Sequence, residues 1–74
     1  MSIVTKYYEL ETVDEASKCT TVSRWNNYVS AKNHIDNYLH QFQVKSVSVY
    51  EVLLLKDNAG EIYVERNPLY TQSK

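Results

Sequence analysis

Apolar side chains recur at intervals of three and four residues in the middle of the chain, which predicts one amphipathic helix from about Asn27 to Gln41. Asn26 or Asn27 can supply the N-cap oxygen that accepts a hydrogen bond from a backbone N–H at the start of this helix. The polar side is expected to face water, and the apolar stripe is expected to pack on a sheet. The stripe consists of Tyr28, Ala31, Ile35, Tyr38, Leu39 and Phe42.

Four segments outside the helix have the β-branched and aromatic composition of strands. Two precede the helix and two follow it, with a connecting turn predicted over residues 14–18. The predicted strands are Ile3 to Val13, Cys19 to Trp25, Val44 to Lys56 and Glu61 to Arg66. The loop between the last two ends in Gly60, which can adopt the positive φ that a hairpin loop commonly requires.

The end of the last strand is predicted from Pro68, which cannot donate a hydrogen bond to a strand ladder. The strand is therefore expected to stop near Asn67, and residues 69–74 are expected to fray. The segment Asn67-Pro68-Leu69-Tyr70 matches an Asn-Pro-x-Tyr pattern and resembles the peptide ligands of phosphotyrosine-binding domains. We interpret it instead as a turn that ends the strand, with Tyr70 folding back on the sheet.

These elements predict a single α+β domain over residues 1–74, with a small antiparallel sheet of three or four strands and one amphipathic helix packed on one face, in the order β(β)αββ. A chain of this length buries roughly 60% of the surface that its unfolded form exposes, so the core is small. Cys19 is the only cysteine and cannot form a disulfide within the chain. No apolar run approaches the length of a membrane span and the first residues lack a signal-peptide pattern, so a cytoplasmic location without membrane contact is expected.

The register of the hairpin decides which face of the sheet each strand residue occupies. The expected pairs are Lys56 with Glu61, Leu55 with Ile62, Leu53 with Val64, and Glu51 with Arg66 as an ion pair near the sheet edge. This register directs an apolar set toward the helix, because side chains alternate across a strand. That set is Val47, Val49, Leu53, Leu55, Ile62 and Val64.

Tyr50, Val52, Leu54 and Tyr63 are then left on the opposite face of the sheet. A single helix covers only one side of a small sheet, so these four residues are expected to form an exposed protein-binding patch. The alternative is that Trp25 or the C-terminal tail covers this face. A register slip of one residue would exchange the two faces but would still leave one of them uncovered.

The distribution of charge does not indicate a nucleic-acid partner. The chain has 8 basic and 9 acidic residues, which are spread along its length without a run of one sign. Tyr50 and Tyr63 could lie side by side and stack on the bases of a single strand, which is an alternative function. Glu61 and Glu65 on the same face would repel the phosphate backbone, so this alternative ranks second.

No constellation of residues predicts a metal, a cofactor or a catalytic site. His34 and His40 are six residues apart on the predicted helix, whereas metal-binding pairs on a helix are three or four apart. A dyad of Cys19 and His34 would rest only on the presence of one cysteine and a histidine. Glycine occurs once, so the chain lacks a phosphate-binding loop. We therefore expect a protein that is not an enzyme and that has no metal or cofactor.

The predicted function is protein–protein interaction through the uncovered sheet face or through an edge strand, with a different protein or a second copy as the partner. A short domain without motifs looks like the accessory proteins of bacteria and phages, which implies that it binds and inhibits a host protein. A homodimeric structural domain without a separate activity is a further alternative, because a twofold dimer would enlarge the small core.

Overall fold

The computed structural model describes residues 1–74 as a four-stranded antiparallel sheet with one bent helix on its face. In chain order the elements are β1 (Ser2–Asp14), β2 (Cys19–Trp25), α1 (Tyr28–Asn33), α2 (Ile35–Leu39), β3 (Val44–Lys56) and β4 (Ile62–Ser73). The strands lie in the order β2-β1-β3-β4, so β2 and β4 are the edge strands. The predicted α+β class and the order β(β)αββ are confirmed. Neither helical segment has the length and apolar character that a membrane crossing requires.

The helix is bent at His34 because a side chain competes with the backbone for a carbonyl. Of the two candidate N-caps, Asn27 caps α1: its Oδ1 accepts a hydrogen bond from the backbone N–H of Ser30 at 3.1 Å. The backbone N–H of His34 donates to the carbonyl of Ala31, while its ring Nδ1 lies 2.7 Å from the carbonyl oxygen of Ser30. The ring thus takes the acceptor that the backbone N–H would use in a regular helix. The predicted single helix is therefore two short segments.

The core lies between the bent helix and one end of the sheet, formed by the C-terminal half of β1 and the N-terminal half of β3. Its buried members are Leu10, Ala31, Ile35, Leu39, Val44, Val47 and Val49. The predicted helical stripe was wrong at Phe42, because α2 ends at Leu39 and Phe42 lies in the following loop with 92% of its surface exposed. Only 11 of the 74 residues are buried, so the core is as small as the chain length predicts.

The last strand passes through Pro68 and ends at Ser73, so the prediction that it stops near Asn67 was wrong. β4 is an edge strand, in which a missing N–H can face solvent, and Pro68 lies beside a bulge in the ladder with β3. Of residues 69–74, which were predicted to fray, residues 69–73 belong to β4, and the backbone N–H of Lys74 donates to the carbonyl of Lys45 at 3.2 Å. Tyr70 packs against the core from within β4, so the Asn-Pro-x-Tyr segment is part of the sheet.

The hairpin register differs from the predicted one by one residue. Lys56 lies opposite Ile62, and Glu61 belongs to the loop. The reason is a hydrogen bond within the loop. The backbone N–H of Asp57 donates to the carbonyl of Glu61 at 3.0 Å, and this bond closes the loop one residue later than predicted. Gly60 has a φ of 84°, which confirms its predicted role in this loop.

The shifted register exchanges the faces on which the β4 side chains lie. The observed pairs are Leu55 with Tyr63, Leu54 with Val64, Leu53 with Glu65 and Val52 with Arg66. Ile62 and Val64 therefore lie on the face away from the helix, and Tyr63 lies on the helix side. Glu51 and Arg66 are not opposite each other, so the predicted ion pair between them is not formed.

The strands are much longer than the helix that packs on them. β1 and β3 have 13 residues each and extend about 43 Å. The bent helix has 12 residues, which rise about 18 Å. β2 pairs only with Tyr8–Val13 of β1. The remaining three-stranded extension, which we call the arm, consists of Ser2–Tyr7, Val52–Lys56 and Ile62–Arg66 with the loop that joins the last two.

One carboxylate organises the loop at the tip of the arm. Asp57 Oδ1 accepts the backbone N–H groups of Ala59 and Glu61, each at 2.9 Å, and the Tyr63 hydroxyl donates to Oδ2 at 3.1 Å. These donors, with the Glu61 backbone N–H foremost, hold the pKa of Asp57 below its ordinary value of 3.8. Because the folded-state pKa is lowered, this contribution to stability is present above the ordinary value and is lost as the pH falls through the folded-state pKa.

Replacing Tyr63 by Phe should raise the pKa of Asp57 toward its ordinary value, since one donor to the carboxylate is removed while the backbone donors remain. An NMR titration of the side-chain carboxyl carbon measures this change. Tyr70→Phe is the matched control, because its hydroxyl donates to Gln72 and should leave the pKa of Asp57 unchanged. Equal Asp57 pKa values in the wild type and in Tyr63→Phe would contradict the assigned contact.

Candidate protein interface

The four residues predicted to form a binding patch do not lie together. Tyr50, Val52 and Leu54 share the face opposite the helix, as predicted, because they alternate with the core residues of β3. Tyr63 pairs with Leu55 and lies on the helix side, so it is separated from the other three by the sheet. Tyr50 and Tyr63 consequently cannot form one stacking platform for bases.

The face opposite the helix is covered at its centre by this chain's own side chains. Val52 is only 1% exposed, and its cross-strand neighbours on this face are Tyr7 of β1 and Arg66 of β4. The guanidinium carbon of Arg66 lies 4.2 Å from the centroid of the Tyr50 ring. The prediction that Val52 forms part of an exposed patch was therefore wrong, because a long charged side chain can cover apolar surface with its stem.

Two glutamates beneath the arginines hold this cover in place. Glu9 is nearly buried, and its carboxylate lies 3.4 Å from Arg66 Nε and 3.6 Å from Arg24 Nε. Glu11 Oε2 lies 3.5 Å from the Nη2 of Arg66. Glu9 and Glu11 thus neutralise the two arginines and leave the centre of this face without net charge.

The electrostatic surroundings of Tyr50 agree with this closed arrangement. Burial, and after it the neighbouring Glu11 carboxylate, raises the pKa of the Tyr50 phenol, while Arg66 acts in the opposite direction. Because its raised pKa keeps the Tyr50 phenol protonated, the Arg66 guanidinium lies over an uncharged ring. This part of the face is therefore an internal polar network, and it offers little apolar surface to a partner.

Exposed apolar side chains are concentrated in the arm instead. They lie on both faces of the sheet, and they are Ile3 and Val4 of β1 and Ile62, Tyr63 and Val64 of β4. The exposed Met1 directly precedes β1. On the helix side, Ile3, Leu55 and Tyr63 form one row across the three strands, beyond the end of the helix. The uncovered surface is thus the length of sheet that the helix does not reach.

The arm also has an unpaired strand edge. β1 pairs along its whole length with β3, but on its other side β2 covers only Tyr8–Val13. The outer edge of Ser2–Tyr7 therefore presents backbone N–H and C=O groups that have no strand partner, as edge strands do. This six-residue edge carries a single charged side chain, Lys6.

The other edge of the sheet is protected against strand pairing. β4 contains Pro68 and a bulge beside it, and its centre carries the charged residues Glu65 and Arg66. Proline cannot donate to an added strand and adjacent charges disfavour pairing, so these two features protect β4, whereas a bulge occurs in both β4 and β1. Three stretches of edge are open, namely the outer edges of β2 and β4 and that of Ser2–Tyr7 in β1. β2 carries no exposed large apolar side chain, so only Ser2–Tyr7 combines unpaired backbone with exposed apolar residues, Ile3 and Val4, and with the absence of proline.

The histidine and cysteine side chains considered as candidate functional groups do not form a common site. His40 is exposed, and His34 stacks on Trp25 with ring centroids 4.0 Å apart. Cys19 is an exposed free thiol on β2. No group of three or more His, Cys, Asp or Glu side chains is gathered closely enough to hold a metal ion.

A depression of about 490 Å³ lies between the turn after β1 and the loop before β3. Its lining residues are Asp14, Glu15, Ala16, Phe42 and Gln43. The exposed ring of Phe42 is its main apolar element, and neither histidine nor cysteine lines it. It is a second surface that a protein partner can contact.

Comparisons with protein-family models, with curated proteins and with solved structures find no match for this chain. Its function is therefore inferred from the geometry of the arm and of the two sheet edges.

The two arginines of the network opposite the helix should contribute different amounts to the free energy of unfolding. Arg66→Ala should lower the free energy of unfolding by about 1–2 kcal/mol, because it removes contacts with Glu9, Glu11 and Tyr50 and uncovers Val52. Arg24→Ala should cost less than about 1 kcal/mol, since the Arg24 side chain is 70% exposed and its contacts are one ion pair with Glu9 and the Tyr7 ring, whose centroid lies 4.9 Å from the guanidinium carbon. Urea unfolding of both variants measures the difference, and equal losses would refute the central role of Arg66.

Proposed function

We propose that this chain is a non-enzymatic protein–protein interaction module that binds an extended partner strand along the open edge of β1. The observation that carries the proposal is the unpaired edge of Ser2–Tyr7 in a sheet whose arm extends beyond both the helix and β2. Strand addition to such an edge supplies backbone hydrogen bonds to the partner, and alternate side chains supply specificity.

The exposed surface of the arm supports this proposal. A three-stranded sheet needs a covered apolar face for independent stability, and the row of Ile3, Leu55 and Tyr63 lies on a face that the helix does not reach. A partner strand beside β1 would cover the exposed Ile3 and Val4 and would satisfy the unpaired backbone groups. The partner segment is therefore extended and mainly apolar.

The proposal includes a cytoplasmic location. The free, exposed thiol of Cys19 favours the reducing environment of the cytoplasm. A bacterial or phage accessory protein that inhibits a host protein stays a prediction from the general character of the sequence. Strand addition is a mode of binding that such an inhibitor could use.

Three valines of similar exposure allow a matched test. Val4 on the open edge is 56% exposed, Val29 on α1 is 61% exposed and Val64 on β4 is 63% exposed. Replacing Val4 by Lys places a charge on the edge that the partner strand must cover. Val4→Lys should therefore abolish retention of a partner from a lysate of cells that express the chain, whereas Val29→Lys and Val64→Lys should retain it.

The readout is the set of proteins that immobilised wild-type and variant chains retain. Loss of a retained protein in Phe42→Ala but not in Val4→Lys would move the binding site to the depression near Phe42 and would contradict the proposal. Equal retention by Val4→Lys and wild type, or no retained protein at all, would also contradict it.

A further inference from the structure

We infer that the strand that occupies the open edge of β1 is the same edge of a second copy, so that two chains form a twofold dimer with a continuous sheet. This inference rests on the proposed strand addition and specifies its partner. It follows from three properties of the edge, namely its length, the faces of its side chains and its charge.

The open edges of two copies have the same length and can pair antiparallel without an overhang. On each chain the edge that is free to pair runs from Ser2 to Tyr7, because Trp25 of β2 already lies opposite Tyr8. In an antiparallel pairing with Ser2 opposite Tyr7 of the second copy, the edge pairs from end to end, with the bulged Val4 as the extra residue. The partner strand then lies end to end with β2, and it stops where β2 begins.

The faces of the side chains match in the same register. β1 has a bulge at Val4, so Ile3 pairs with Leu55 on the helix side while Thr5 pairs with Leu54 on the opposite face. Lys6 consequently lies on the same face as Ile3, although the two are three residues apart. The register that pairs Ser2 with Tyr7 also pairs Ile3 with Lys6, and each pair has both side chains on one face, as an antiparallel ladder requires.

The charges of the edge permit this pairing and oppose self-pairing of β4. Lys6 lies opposite Ile3 of the second copy, so the two lysines are not opposed and their stems can cover the isoleucines. A twofold pairing centred on the charged part of β4 would set Glu65 or Arg66 opposite its own copy, which is destabilising. Charge thus favours self-pairing of β1 over self-pairing of β4.

The paired surface is small, because it involves six residues of each strand. Interfaces of this size lie at the low end of the range for specific complexes. We therefore expect a reversible dimer whose population rises with chain concentration and falls on dilution.

The register is tested by introducing opposite charges at one position. Ile3→Glu places a carboxylate opposite Lys6 of the second copy, and Ile3→Lys places a second cation there. Both variants lose the same apolar side chain, so the difference between them reports the charge of the residue opposite. Sedimentation analysis should give a dimer dissociation constant for Ile3→Glu that is lower than that of Ile3→Lys by about tenfold or more.

Thermal unfolding of both variants at low concentration shows whether the monomer folds. The wild type and Val64→Lys provide a second measurement, since both should dimerise equally if β4 is not the interface. Equal dissociation constants for the two Ile3 variants would overturn the inference, as would a wild-type chain that stays monomeric up to about 1 mM. A monomeric wild type that still retains a lysate protein through Val4 would overturn the second copy alone and would leave the proposed strand addition in place.

Discussion

A helix rises about 1.5 Å per residue and a strand about 3.3 Å, so a helix and strands of similar residue number cannot cover one another along their length. In this chain the 12-residue helix lies on 13-residue strands. The core therefore forms at one end of the sheet, around Leu10, Val47 and Val49, and the other end extends as the arm. β2 is likewise too short to pair with the whole of β1, so it leaves the outer edge of Ser2–Tyr7 unpaired.

The opposite face shows how a small chain covers a sheet without a second helix. Glu9 and Glu11 on the central strand β1 attract Arg24 and Arg66 from the two edge strands, and Arg66 covers Val52 and Tyr50. A second layer of secondary structure is thereby replaced by long side chains, which protect the centre of the face. This network reaches into the arm only as far as Val52 and Arg66, so the rest of the arm remains the part of the sheet with exposed apolar residues on both faces.

Local patterns predicted the elements well, while the errors arose from long-range geometry. The bounds of β2 and β3, the Asn27 cap and the role of Gly60 follow from local preferences that the structure respects. The hairpin register depended on the hydrogen bonds that Asp57 makes with the backbone of the loop, and one residue of error moved Tyr63 to the other face. The cover over Val52 depended on Arg66, which is 14 residues away in sequence and opposite only once the true register is known.

The open edge was within reach of the sequence, although the predicted binding patch did not include it. The predicted strand Ile3 to Val13 has more residues than Cys19 to Trp25, so part of it had to lack a partner on that side. The prediction concentrated on faces of the sheet and treated an edge strand only as an alternative. The two predictions require different information. The face that a side chain occupies follows from the strand register, whereas an unpaired edge follows from a difference in length between neighbouring strands.

Amide hydrogen exchange at low chain concentration tests the open edge most directly, because it reports the pairing of each backbone N–H. In Tyr8–Val13, which lies between β2 and β3, the amides should be protected throughout. In Ser2–Tyr7, the amides that point away from β3 should exchange rapidly and alternate with protected ones. Uniform protection of both segments of β1 in the dilute monomer would contradict the account.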